Sequence, residues 1–327
     1  MLAKLWTYAG VFSGVPFSLA YGAIARFVFG SPTFRESGFA IVSLAFLVFA
    51  PIAIGALTVY FAPADKRASL PYAFFAPCLS CFIAALLAGI LAIEVAICIA
   101  MALPFLFSFA MLGGITTWFV QSKIKQADTP TLGAILLLPF LVAPIEARFP
   151  VADSWHVVHT QIEINAPEEV VWQNITRVPE IKPGERPPSL LFDVFGAPRP
   201  LEAKIFGDGV GVMRQGIFAG GLSFDERITV WEPYRQLNFE ITAQNNLARS
   251  TLVSLAPWNE IGGKVFAVPQ AGYRLEKLSN GHVLLHLTST HRLTTRFNDY
   301  GGLWTGWGMR EFQMHILQII KARCEAQ

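Results

Sequence analysis

Five polar side chains in the second half of the chain have the types and spacing to do chemistry: Arg214, Glu226, Tyr273, His286 and His291. Each falls in a stretch whose alternation of apolar and polar residues predicts a strand. Glu226 is the sharpest of them. In Leu222–Trp231 it shares the phase of Leu222, Phe224, Ile228 and Val230, so a carboxylate sits on the apolar face of its strand. A buried carboxylate is costly unless paired, and Arg214 on the preceding strand, or His286, would serve as partner. Such a pair could brace the fold, anchor the polar group of a ligand, or supply a general base. Residue types alone leave all three open.

Three other motifs invite chemistry that their context opposes. His282, His286 and His291 suggest a metal, but the first two, on one face of a strand, stand about 13 Å apart and His291 falls on the other face. Cys78-Leu-Ser-Cys81 has redox or zinc spacing, yet it lies inside FFAPCLSCFIAALLAG, where a thiolate is costly and small residues serve helix packing. The glycines of GDGVG at 207–211 join two strands and open no helix, unlike a nucleotide loop. The expectation is no metal, no cofactor and no assigned catalytic residue.

The elements that position these residues belong to a chain of two characters. The mean hydropathy is +0.46 and 15% of the 327 residues are charged, against roughly 25% in ordinary soluble proteins. The apolar excess lies in the first half. Residues 1–149 hold eight Lys/Arg and five Asp/Glu, leaving 17 and 18 for the rest. Neither balance suits a nucleic-acid partner, and no basic stripe interleaved with aromatics occurs.

Residues 1–150 predict an α-helical membrane domain of about five transmembrane helices: Leu5–Phe29, Phe39–Ala62, Pro71–Ile93, Val95–Val120 and Leu132–Phe149. The first also has the outline of a signal peptide, but it runs on into Arg26 and more spans follow. Glu94 has no ionisable neighbour within its own apolar run and reads as the turn between two spans. Lys4, Lys66, Arg67, Lys123 and Lys125 mark one side, which the positive-inside rule makes cytoplasmic. Five crossings then place the soluble half outside, in the periplasm of a bacterial inner-membrane protein, provided that Leu132–Phe149 crosses fully.

Residues 151–327 predict an α+β domain. Val157–Ile164 alternates as a half-buried strand, and Asn165-Ala166-Pro167 turns it into a helix opened by Glu168 and Glu169, where the helix dipole favours acids. Pro179–Pro200 reads as a short helix and loop. Strands follow at 201–206, 210–218, 222–231, 235–242, 265–278 and 282–292, the last two joined by an Asn280-Gly281 hairpin turn. Residues 243–264 form a long irregular segment of the kind that serves as a binding loop or lid. A helix over Asp299–Arg323 repeats Trp304, Trp307, Gly308, Glu311, Phe312, His315, Ile316 and Ile319 on one broad apolar face. A sheet gripping that helix leaves a concave apolar space suited to small hydrophobic molecules.

This order resembles the START-like (SRPBCC, helix-grip) superfamily, whose members include polyketide cyclases and aromatases, lipid-transfer domains and the birch-pollen allergen type. The stretches that carry the resemblance are IEINAPEEVVWQNITRVPEI at 162–181, GVGVMRQGIFAGGLSFDERITVWEPYRQLNFEI at 209–241, and GYRLEKL with the ending HLTSTHRLTTRFNDYGGLWTGWGMREFQMHILQIIKAR, up to 323. More closely, the chain is similar to uncharacterised bacterial membrane proteins with several N-terminal spans fused to such a domain. The resemblance covers the C-terminal half. It implies a sheet wrapped on a long C-terminal helix and a hydrophobic small molecule or lipid bound between them, and it carries over no catalytic set. The pocket candidates are Arg214, Phe224, Glu226, Tyr273, His286, Trp304, Trp307 and Phe312. The leading expectation is a membrane-anchored binding module. The alternatives are a cyclase- or hydrolase-type enzyme using Glu226, or a membrane scaffold whose soluble domain docks a partner.

Overall fold

The computed structural model describes residues 13–31, 42–123, 129–245 and 261–326. The chain divides into two compact units, one reaching Val151 and the other opening at Ala152.

The first unit is helical: α1 (Gly14–Gly30), a π-helical turn (Ala45–Phe49) leading into α2 (Ala50–Tyr60), a short α3 (Ala64–Arg67), α4 (Leu70–Ile90), α5 (Ala96–Lys123) and α6 (Thr129–Glu146). Two stretches among the described residues, Leu70–Ile90 and Ala96–Ser122, are long and apolar enough to cross a membrane; Gly14–Gly30, Ala45–Tyr60 and Leu132–Glu146 are apolar but shorter. The predicted first two spans begin in residues outside the described ones. Helix α2 is the centre of the unit, with every residue buried except Ile52 and Tyr60. Small residues let its neighbours approach: a Cβ on Gly55 would lie 2.0 Å from the Ala110 carbonyl oxygen, and one on Gly113 2.0 Å from that of Ile52. Cys81 belongs to this packing, beside Ile54 and Ala110, and all four cysteines are free thiols.

Contacts between the helix ends show alternating directions. The Ser13 hydroxyl at the start of α1 donates to the Phe61 carbonyl after α2 (2.7 Å). At the other end, Arg26 Nε donates to Glu94 Oε1 (2.6 Å). The Glu146 carboxylate, at the end of α6, accepts the Leu44 and Ala45 N–H groups (2.9 and 3.0 Å), satisfying donors that every helix start leaves free. Tyr21 Oη donates to the Leu136 carbonyl (2.9 Å), so α6 runs alongside α1 in the same direction. Glu94 does sit in the turn after α4, as expected. It is nevertheless paired, by a residue 68 positions away.

The second unit is a seven-stranded antiparallel sheet of order β1-β7-β6-β5-β4-β3-β2. Its strands are β1 (Ser154–Ile164), β2 (Pro200–Ile205), β3 (Met213–Phe218), β4 (Leu222–Glu232), β5 (Gln236–Asn245), β6 (Phe266–Lys277) and β7 (Val283–Leu293). Between β1 and β2 come α7 (Glu168–Thr176) and α8 (Leu190–Asp193), and the described chain closes with α9 (Asn298–Glu325), which packs on β1, β7 and α7. This is the helix-grip arrangement that the sequence predicts. Val158, Thr160 and Ile164 of β1 are buried while His159, Gln161 and Glu163 are exposed. Ile164, Leu237, Leu285 and Leu317 have no exposed surface, and each contributes about 1.5–3 kcal/mol by leaving water. At the β6–β7 hairpin Gly281 takes φ +83°, and the His282 N–H donates to the Asn280 side chain (3.0 Å).

Three details differ from the alternation. Strand β1 begins at Ser154, three residues before the expected Val157. Strand β3 begins at Met213 in place of Val210, because Gly207, Gly209 and Gly211 all adopt positive φ. A register shift between Ile228 and Val230 takes Val230 off the inner phase and lets Trp231 pack on the core in its stead. Most of the expected binding loop, residues 246–260, lies outside the described residues.

Candidate functional site

The inner face of the sheet, under α9, brings together most of the expected residues. Arg214 and Glu226 are direct cross-strand neighbours on β3 and β4, 4% and 8% exposed, and joined by an ion pair through Arg214 Nη1 and Glu226 Oε2. The guanidinium also donates to the last carbonyls of α7, Nε to Thr176 (3.1 Å) and Nη2 to Ile175 (3.3 Å). There a cation meets the negative end of the helix dipole. Its carbon lies 5.4 Å from the centre of the Phe239 ring, a cation–π distance. Arg214 thus spends its donors on the protein, clamping α7 to the sheet. Burial pushes the Glu226 carboxyl above its ordinary range, and Arg214 opposes that shift. Tyr273 is buried beside Phe239 (ring centres 6.2 Å), and burial pushes its phenol up to about 12.

Phe224 stands opposite Gly216 on β3. Its ring meets Phe218 edge-on at 5.0 Å, Phe218 stacks on Phe312 of α9 at 5.8 Å, and Phe312 faces Phe192 of α8 at 6.3 Å. Farther along α9, Trp307 meets Phe195 edge-on (5.6 Å) and Trp304 (6.4 Å). Phe218, Phe224, Phe312, Trp304 and Trp307 are all half-buried, although they sit on facing surfaces of sheet and helix. His315, one step along α9 from Phe312, is 3% exposed and lies 4.5 Å from the Phe192 ring. Its Nδ1 has no hydrogen-bond partner among the described residues. Burial, helped by Arg199, pushes this imidazole down to about 4, so it is neutral.

His286 does not join this group. On β7 the inward phase is Val283, Leu285, Leu287, Ser289, His291 and Leu293, so His286 faces the opposite side of the sheet. There it touches His159 (Nδ1 to Nε2, 3.1 Å), Arg274 (3.1 Å) and Glu276 (3.2 Å). It is buried under long polar side chains and so carries no contact with the aromatic band. His282 is also apart, paired with Glu163 at 2.6 Å.

Two inward polar residues complete the face. Gln313 of α9 accepts from Thr160 (3.0 Å) and donates to Ser289 (2.8 Å) and the Val158 carbonyl (3.2 Å), locking the helix onto β1 and β7. His291 is fully buried, stacked on His156 at 5.1 Å, with Nε2 3.0 Å from the Thr305 hydroxyl. His315 was visible in sequence on the apolar phase of its helix. Phe192 was hidden in the Pro- and Gly-rich stretch, which shows no periodicity. Among the described residues no group of three His, Cys, Asp or Glu side chains could hold a metal ion. Outside this face, a groove of about 440 Å³ runs along edge strand β2, lined by Arg177–Glu180 and Glu202–Phe206.

No family model and no curated protein matches the chain. Solved structures do. An uncharacterised protein from Rhizobium leguminosarum is 13% identical, over 52% of this chain and 97% of its own, with a TM-score of 0.32. Protein Ms6760 from Mycobacterium smegmatis is 14% identical, over 54% and 99%, with a TM-score of 0.33. Truncated norcoclaurine synthase from Thalictrum flavum is 13% identical, over 53% and 97%, with a TM-score of 0.30. At such scores the helix-grip assignment rests on the strand order and the C-terminal helix themselves.

Proposed function

We propose that this protein is a membrane-anchored binding module, residues 1–150 forming the anchor and residues 151–327 holding an apolar ligand, a lipid or isoprenoid, between the sheet and α9. The observation that carries the reading is the half-buried aromatic band in which Phe218 and Phe224 of the sheet meet Phe312 of α9. Aromatic rings that face one another inside a fold and remain half-open favour an apolar guest. Catalysis by Glu226 has less support, because its carboxylate is engaged by Arg214. The alternating helices and the Lys/Arg loops support five crossings and a periplasmic soluble domain.

Native mass spectrometry of the full chain, released from nanodiscs, tests the reading. The expected result is a co-purifying apolar molecule that is lost in Phe224→Trp while the far-UV spectrum is kept. An empty protein that also ignores a fluorescent fatty-acid analogue overturns it.

A further inference from the structure

The sheet unit has two ends, and they differ. At one, the start of β1 stands beside the end of β7 (Ser154 with Leu293), and the start of β6 beside that same leucine. The start of β4 meets the end of β5 there (Leu222 with Asn245), and the start of β2 meets the end of β3 (Pro200 with Phe218). The chain enters the unit at this end, which the aromatic residues Phe218 and Phe224 flank. Phe206, Val210 and the Asn280-Gly281 turn lie at the far end. Helix α9 runs from the first to the second. A Cβ on Gly302 would strike the His156 ring at 2.7 Å, Gln313 donates to the Val158 carbonyl (3.2 Å), and Glu325 accepts the Asn165 N–H (2.9 Å).

Burial along α9 is graded in the same sense. Gly301 apart, its buried residues begin at Gln313 and continue through His315, Leu317, Ile319 and Ile320. Leu317 and Ile320 share one core with Val171 and Ile175 of α7, which closes the far end. Trp304 and Trp307 stay half-buried, Leu303 is 73% exposed, and a Cβ on Gly306 would meet nothing within 4 Å. The aromatic band is therefore open at the entry end. Trp155 and Val157 of β1 are also more than half exposed there.

Exposed apolar side chains alone do not choose between the ends, since Phe206 and Val210 at the far one are as open. The chain path does. Residues 147–153 alone join Glu146, the last residue of α6, to Ser154, and fully extended they reach at most about 25 Å. Tryptophan beside aliphatic side chains is the composition that settles at a water–lipid boundary.

We propose that the entry end of the sheet unit rests on the phospholipid surface of the bilayer, with Trp155, Val157 and Leu303 in the headgroup layer and the open half of α9 toward the lipid. This rests on the reading of residues 1–150 as a membrane anchor and deepens it: an apolar guest passes between bilayer and aromatic band without crossing water.

The test places the photocrosslinker benzoylphenylalanine in the full chain at Leu303, at Phe206 or at Phe82 of α4, in nanodiscs of chain-deuterated phosphatidylcholine. Leu303 and Phe206 are both apolar and exposed but stand at opposite ends, while Phe82 tests the anchor itself. Peptide mass spectrometry after irradiation reads the adducts, and the deuterium mass marks lipid from the bilayer. The expected result is deuterated adduct at positions 82 and 303 and none at 206; position 157 replaces 303 if that variant misfolds. Adduct at 82 with none at 303 and 157, or with a yield at 206 that matches or exceeds that at 303, overturns the inference and leaves the anchor standing. Undeuterated lipid alone at 303, a guest carried through purification, overturns it as well. No lipid adduct at 82 overturns the anchor reading, and this inference with it.

Discussion

Each unit of the molecule buries an arginine–glutamate pair, and the two pairs do different work. Arg26 and Glu94 meet at the end of the helical unit, where α1 finishes and the turn after α4 begins; their side chains are 16% and 13% exposed. Arg214 and Glu226 meet in mid-sheet, with side chains 5% and 10% exposed, and the same guanidinium caps α7. The second pair is tied into three elements and the first joins two. Losing one member of a sealed pair strands a charge, whereas a pair near an opening can re-solvate.

The largest effect should therefore follow from Glu226→Ala. It leaves a fully enclosed guanidinium and should cost about 3–5 kcal/mol. Arg214→Met combined with Glu226→Leu should recover most of that loss, since apolar replacements of similar volume fill the site without a stranded charge. Cys81 and Cys324, 1% and 3% exposed, supply one buried thiol in each unit, so site-resolved thiol labelling during denaturant unfolding follows the units separately. Glu226→Ala should bring forward the labelling of Cys324 and leave Cys81 in place. A double variant as unstable as the single one would show that the clamp on α7, and not the stranded charge, holds the unit together.

The comparison also shows how much a sequence can disclose. Arg214 and Glu226 stand twelve residues apart across one hairpin, so strand phase alone brings them opposite each other. Arg26 and Glu94 are joined by how helices pack, which no local period records. The same boundary runs through the site. The fold was legible because β1 and α9 keep their periods, β4 keeps its own as far as Ile228, and the turns carry Asn-Gly and Gly-Gly. His286 was misplaced because Leu284 lends its phase an apolar look, although Val283, Leu285, Leu287 and Leu293 share the other phase with His291. Phe192 lies in a four-residue helix, too short to show a period. Trp231 reached the core through a bulge, and alternation cannot foresee an inserted residue.

A second, smaller effect separates the units by pH. His291 and His315 are both pushed down to about 4, chiefly by burial, whereas an unfolded histidine titrates near ~6.5. Between those values the unfolded chain takes up protons that the folded sheet unit refuses, so its stability falls as the pH drops through that window. Above about 6.5 neither state is protonated there, and the contribution is flat. The expected loss from pH 7 to 4.5 is about 2 kcal/mol, reduced from the full linkage value because water reaches the half-buried neighbours. His315→Phe should flatten the slope of Cys324 protection against pH. An unchanged slope in both His291→Phe and His315→Phe would mean that neither ring is held neutral by the fold.

The smallest effect should come from the pair at the helix ends. In Arg26→Leu the Glu94 carboxylate loses a 2.6 Å hydrogen bond, but it stands in a turn whose first residues, Leu91 and Ala92, are exposed. A charge beside an opening can turn toward water, as long side chains near span ends do. The cost should be about 1 kcal/mol, read as a slightly earlier labelling of Cys81 during a thermal ramp in detergent, with Cys324 unmoved. Glu94→Gln should cost no more, because Arg26 has a longer stem with which to reach the same opening. A loss in either variant as large as that of Glu226→Ala would mean that the helix ends seal their pair as tightly as the sheet does. In that case Arg26 and Glu94 would have to be read as a core element of the helical unit, set by tertiary packing and not by the turn.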